Sequence, residues 1–276
     1  METTVIIPTY NRLPYLQEAL ASVLQQTYRD YELIVVDDGS TDGTGLHLRS
    51  LRQALKYVCQ PNAGPAAARN RGIRQATGRF ITFLDSDDLW HVDKLKTQID
   101  FMNANPETMV CYTDETWIRR GVRVNQGKRH KKYSGWIFER CLPLCIVSPS
   151  SVLMRRAFFD VVGLFDEALP AGEDYDLWLR ASLRFPFHFI PQELIIKRGG
   201  HADQLSAQWG LDRYRVQALL KLLNDDGLLK PEQRQAVTAQ LTNKCQILEQ
   251  GFLRRGSREQ AELYGALLEK FTSLAI

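Results

Sequence analysis

The sequence predicts an α/β fold built on a mostly parallel sheet, followed by a helical tail. Three observations predict it. In the first hundred residues short apolar runs alternate with amphipathic stretches. Two of those runs end in clusters of aspartate. From about residue 207 strand signals stop and Leu, Gln, Arg, Lys and Glu dominate. Strands alternating with helices imply right-handed crossovers and a parallel sheet.

Each element follows from its pattern. "TTVIIPTY" (3–10) reads as a buried strand stopped by Pro8. "LPYLQEALASVLQQ" (13–26) carries apolar residues at 13, 16, 20, 23 and 24, a helical spacing. "YELIVVDDGS" (31–40) is a second buried strand ending in acids and glycine, and "TDGTGLHLRSLRQAL" enters a helix with Thr41 or Asp42 as N-cap. A strand near 55–60 precedes "NAGPAAARNRGIRQATG" (62–78), a helix expected to close at Gly78. "RFITFLDSDD" is the next strand. Beyond residue 90 a helix, a strand at 108–118 and the basic stretch "RRGVRVNQGKRHKK" (119–132) follow. That stretch reads as a solvated loop or hairpin, or as a segment that touches phosphate or membrane. "SPSSVLMRRAFFDVVGLFDEAL" joins a strand to a helix, "GEDYDLWLRASLR" (172–184) is helical, and "FHFIPQELIIKRGG" (187–200) predicts two short strands. Pro231 and Gly256-Ser257 divide the tail into about three helices.

The totals narrow the function classes. At 276 residues, with 44% apolar and 24% charged residues, the chain is an ordinary globular protein with a sizeable core. A net charge of +3 does not imply a nucleic-acid partner. Five cysteines, at 59, 111, 141, 145 and 245, lack zinc-site spacing and read as reduced structural thiols. No basic n-region or long apolar stretch opens the chain, and no window suits a membrane span. The expected location is the cytoplasm, compatible with a peripheral contact at the inner membrane face.

The acids carry the chemical signal. Asp37 and Asp38 close the second strand, Asp85, Asp87 and Asp88 the fourth, and Glu173, Asp174 and Asp176 open a late helix. Ligands of open α/β sheets bind beyond the carboxyl ends of the strands, so the first two clusters should face one crevice. Crowded carboxylates resist ionising together unless something positive sits among them. A hard divalent cation, Mg²⁺ or Mn²⁺, meets that need and also binds substrate phosphates. Taken singly, the clusters also fit a strand-end turn, the acidic pocket of a receiver domain, a calcium loop, or a helix start favoured by its dipole.

In order and spacing, "IIPTYNR" (6–12), "VVDDGSTDGT" (35–44), "NAGPAAARNRGI" (62–73), "FLDSDDLW" (83–90) and "GEDYDLWLR" (172–180) resemble the successive motifs of family 2 glycosyltransferases. The resemblance covers roughly residues 3–205. It implies a GT-A fold and metal-dependent, inverting transfer from a nucleotide-sugar, most simply a UDP-sugar. It also implies site residues. Pro8, Thr9, Tyr10 and Arg12 would line the base pocket, and Asp38 would accept a hydrogen bond from the base. Arg69 and Asn70 would lie near base and ribose. In the DxD motif of Asp85, Ser86 and Asp87, Asp87 would ligate the metal with help from Asp85. Asp174 would be the catalytic base, Glu173 and Trp178 would border the acceptor pocket, and His201 resembles a position that reaches the metal or diphosphate.

The expected organisation is a catalytic domain over 1–205, with a donor-binding half (1–105) and an acceptor-binding half (106–205), and a helical region over 206–276. That region is expected to pack on the domain, self-associate or bind a partner. The acceptor could be a carbohydrate, lipid-linked or protein hydroxyl in polysaccharide, lipopolysaccharide or glycoconjugate assembly. The alternative is a non-catalytic nucleotide-sugar scaffold or sensor acting through its tail. A nucleotidyltransferase is disfavoured because "IIPTYNR" is not a glycine-rich phosphate loop.

Overall fold

The computed structural model describes residues 1–51, 53–200 and 209–273. Its centre is β1 (Thr3–Thr9), buried at every position, as a strand covered on both faces should be. Parallel to it run β2 (Tyr31–Asp37) and β4 (Phe80–Phe83), with β3 (Lys56–Cys59) outside β2. The crossovers are α1 (Leu13–Leu24), α2 (Thr44–Ser50) and α3 (Gly64–Gln75). Alternation along the strands sorts the core into two layers. Val5, Ile7, Leu33 and Val35 pack with Leu16, Ala19 and Leu20 of α1, while Ile6, Ile34, Val36, Ile81 and Phe83 join Ala66 and Ala68 of α3.

Beyond β4 the sheet becomes mixed. After β5 (Leu89–Trp90) and α4 (Lys94–Ala104) come β6 (Val110–Arg119), β7 (Val122–Val124), β8 (Val152–Arg155) and β9 (His188–Gly199). The order is β3-β2-β1-β4-β8-β6-β9-β5, with β7 hairpinned onto β6. Parallel pairing is thus confined to β1–β4 and to β6 with β9; β8 is antiparallel to both neighbours.

Three local expectations are corrected. The stretch 187–200 forms one strand, not two: pairing with β6 absorbs Pro191 through register shifts at Thr113/Asp114 and Asp114/Glu115. Gly43, at φ 90°, takes the N-cap of α2. Asp42 sits one residue before it, and its carboxylate accepts from the Thr44 N–H and the Leu13 N–H. Helix α3 ends at Gln75, short of Gly78. Gly78 instead permits close contact with β1, since a Cβ there would lie 2.6 Å from the Thr4 nitrogen. A similar constraint seats α3 itself, because a Cβ on Gly72 would lie 2.4 Å from Ile6 Cγ2. Gly72→Ala is expected to cost about 1–3 kcal/mol, measurable by urea unfolding.

Helices α5 (Phe138–Cys141), α6 (Phe158–Val162) and α7 (Glu173–Ser182) cover the sheet. The tail forms α8 (Asp212–Asn224), α9 (Pro231–Arg254) and α10 (Arg258–Ser273), divided where Pro231 and Gly256 predict. The same apolar cluster that covers Ile81 and Phe83 continues unbroken through Leu219, Leu241 and Phe252. Polar ties reinforce it: Lys221 Nζ reaches Asp166 and Asp176 at 2.6 and 2.7 Å, and Lys244 Nζ donates to Asp212 at 2.9 Å and to the Pro143 carbonyl. All five cysteines are free thiols. Among the described residues no helix is long and apolar enough to cross a membrane.

Candidate active site

The carboxyl ends of β1, β2 and β4 open onto a cleft of about 1340 Å³. Pro8, Thr9, Tyr10 and Arg12 enter it after β1, Asp38 after β2, and Asp85, Ser86, Asp87 and Asp88 after β4. Arg69 reaches it from α3, and the N-terminus of α7 adds Glu173 and Asp174. Acids separated by up to 136 positions in the sequence therefore share one space, as the strand-end rule requires.

Arginine and lysine answer the crowding of acids. Arg12 Nη1 lies 2.5 Å from Asp87 Oδ2. The buried Arg69 guanidinium bridges Asp85 Oδ1 at 2.6 Å and Glu173 Oε1 at 2.5 Å. Asp88 accepts from the Ser150 hydroxyl at 2.7 Å and from the Arg198 N–H at 3.1 Å. Burial, then the charges of Asp87 and Asp85, push the Asp88 carboxyl well above the usual range. Burial also works against the Lys197 ammonium, but Glu115, Asp88 and Asp85 hold its pKa above the ordinary lysine value. Burial likewise opposes the Glu115 carboxylate, and Lys197 with Lys132, 3.0 Å away, outweighs it and keeps that pKa low.

Asp38 is largely committed to shaping the pocket wall. Its oxygens accept from Gln60 Nε2 at 2.8 Å, Ala63 N at 3.0 Å and Gly64 N at 2.8 Å, which fixes the entry to α3. Tyr10 remains 48% exposed beside it, leaving a ring face for a planar group. Asp174 is half-buried; its Oδ1 accepts the Tyr175 N–H at 2.7 Å, and its Oδ2 lies 3.3 Å from Cys145 Sγ. Burial and the Asp174 charge push the Cys145 thiol well up, so it stays protonated and donates to that carboxylate.

Two expected site residues are not brought to the cleft. Asn70 faces away from it and clamps the 165–167 loop, donating to the Phe165 carbonyl and Glu167 Oε1 and accepting from the Phe165 N–H. Trp178, 1% exposed, packs edge-on against Phe187 at 6.1 Å in the core. It is no acceptor wall, because the apolar face of α7 points into the protein. His201 lies outside the described residues. Conversely, Glu115, Cys145, Lys197 and Arg198 line the cleft without having been singled out in the sequence, as do Trp209, Asp212, Arg215 and Ile247 from the tail. A charged residue inside an apolar strand was a usable signal for Glu115 and Lys197; the tail residues had none.

The family model described as Glycosyl transferase family 2 matches residues 4–163. The chain belongs to this family. An uncharacterised glycosyltransferase of Rickettsia conorii is 36% identical over 195 residues, 69% of this chain and 32% of that protein. The family 2 chain thus spans about a third of the length of that relative. WfgD of Escherichia coli, a UDP-Glc:alpha-D-GlcNAc-diphosphoundecaprenol beta-1,3-glucosyltransferase, is 33% identical over 178 residues, 64% of this chain and 68% of WfgD. Residues 1–349 of S. aureus TarS, in complex with UDP-GlcNAc, superpose with a TM-score of 0.68 at 20% identity, covering 99% of this chain and 92% of that one. The family 2 chain therefore has the GT-A fold that its motifs imply.

Proposed function

We propose that this chain transfers a sugar from a UDP-sugar to an acceptor hydroxyl, with inversion at the anomeric carbon. One observation carries the reading: the strand-end pocket, the Asp85–Asp87 pair and Asp174 open onto a single cleft. The activity of the relative WfgD supports a UDP-hexose donor and an acceptor sugar carried on a lipid diphosphate, in the assembly of a cell-surface polysaccharide. We read 1–205 as the catalytic unit and the tail, through α8 and α9, as completing its cleft.

Tyr10 would stack on the base and Asp38 would use its remaining lone pair to accept from it. Arg12, Arg69 and Lys197 supply fixed positive charge where a diphosphate would gain negative charge on leaving. Asp174 would take the proton of the acceptor hydroxyl as that oxygen attacks the anomeric carbon. The nucleoside diphosphate then departs from the opposite face, taking the electrons of the broken bond. Cys145, neutral and hydrogen-bonded to Asp174, would orient the carboxylate for that transfer.

Among the described residues no three His, Cys, Asp or Glu side chains form a ready metal cage. The donor set nonetheless fits Mg²⁺ or Mn²⁺, which need only one or two carboxylates when a substrate supplies phosphate oxygens. Asp87 and Asp85 would hold the ion, and it would neutralise charge on the leaving diphosphate. UDP affinity by calorimetry is expected to fall when Mn²⁺ is withheld and in Asp87→Ala. Equal affinity with and without the metal would remove it from the donor site.

A further inference from the structure

The cleft is larger than the roughly 300–1,000 Å³ usual for one small ligand, at about 1340 Å³. Its extra wall comes from the tail. Trp209 in the turn before α8, Asp212 and Arg215 in the first turn of α8, and Ile247 and Leu248 of α9 line it together with Asp174. Trp209 stands out there. Arg255 lies over its ring at 3.8 Å and Phe252 meets it edge-on at 4.8 Å, yet 43% of the residue remains exposed. Its seat requires a glycine: a Cβ on Gly251 would lie 2.8 Å from Trp209 Cζ2. Glycine within a helix costs stability relative to alanine. Here that cost holds an indole in place without burying it, which serves a ligand better than it serves the core.

We propose that Trp209 is an acceptor-binding residue, a platform on which a sugar ring of the acceptor stacks by its C–H face. The inference rests on the glycosyltransferase reading and assigns its second substrate to the tail. A carbohydrate occupant fits the surroundings. The indole offers a flat apolar surface, while Asp212 and Arg215 beside it offer an acceptor and donors for ring hydroxyls. Both those side chains are already ordered, since Arg215 Nη1 lies 2.7 Å from Asp212 Oδ1. An aromatic side chain held in place by Arg255 and Phe252 loses little freedom when a ring settles on its exposed surface.

The test uses the full chain saturated with UDP and a panel of methyl glycosides of glucose, galactose, mannose and N-acetylglucosamine. Indole ¹H–¹⁵N resonances are followed by NMR, with that of Trp209 assigned by its loss in Trp209→Phe. At least one glycoside is expected to shift the Trp209 resonance. Trp209→Ala should weaken that glycoside by about tenfold, the order of a good aromatic contact, and Trp209→Phe by less. Gly251→Ala, which pushes the indole off its seat, should weaken it comparably. UDP affinity should be unchanged in all three variants, which also shows that they fold. If UDP binds and no glycoside moves the resonance, or if Trp209→Ala binds the glycoside as tightly as the wild type, the inference is overturned alone. If the wild type does not bind UDP, the glycosyltransferase reading falls and this inference falls with it.

Discussion

Asp174→Asn is expected to lower transfer by about 10²–10⁴-fold, the usual cost of losing a general base, while UDP affinity stays at the wild-type level. The substitution keeps the shape of the side chain and can still accept the Tyr175 N–H that Asp174 receives at 2.7 Å. It removes only the capacity to take a proton. Donor contacts should survive because the bridges of Asp85 and Asp87 run to Arg69 and Arg12, not to Asp174. Nucleoside-diphosphate release with and without acceptor measures the first quantity, and calorimetry with UDP the second. Full transfer by the variant would refute the role of base; loss of UDP binding would move Asp174 into the donor site.

Arg69→Met should destabilise the fold by about 3–5 kcal/mol, because it leaves the buried Glu173 and the half-buried Asp85 without their cation. Arg69 is 6% exposed and its two partners come from distant parts of the chain, Asp85 after β4 and Glu173 at the start of α7. The loss should depend on pH. Burial raises the Glu173 pKa above the ordinary glutamate value of 4.5, and Arg69 opposes that rise. A group whose folded pKa exceeds its unfolded one favours folding at low pH and loses that contribution as pH rises through the folded value. Removing Arg69 lifts the folded value further, so the deficit should be small at about pH 5 and larger at about pH 8. Urea unfolding at both values checks this. An equal loss at the two would show that Glu173 does not carry the strain.

Most of the fold and part of the candidate site were legible because both depend on local pattern. The spacing of apolar residues around Val5, Leu33 and Ile81 marks strands covered on both faces, and the acids that follow mark their carboxyl ends. The strand-end rule then gathers Asp38, Asp85 and Asp87 before any coordinate is known. Asn70 and Trp178 misled for a single reason. Motif position names the segment, but helix phase decides which side chain faces the cleft, and these two face Phe165 and Phe187.

Sequence alone therefore determined the family, the α/β order of elements, the acid clusters and the division of the tail at Pro231 and Gly256. These are properties of neighbouring residues. Only the tertiary structure decided how charge is balanced and where the tail lies. Arg69 meets Glu173 across 104 positions, and Lys197 comes to lie among Glu115, Asp85 and Asp88. Trp209 reaches the candidate cleft because the apolar faces of α8 and α9 bury against the core that begins at β1. Burial of apolar area is non-directional, so no pattern within the tail could say which cleft it would wall.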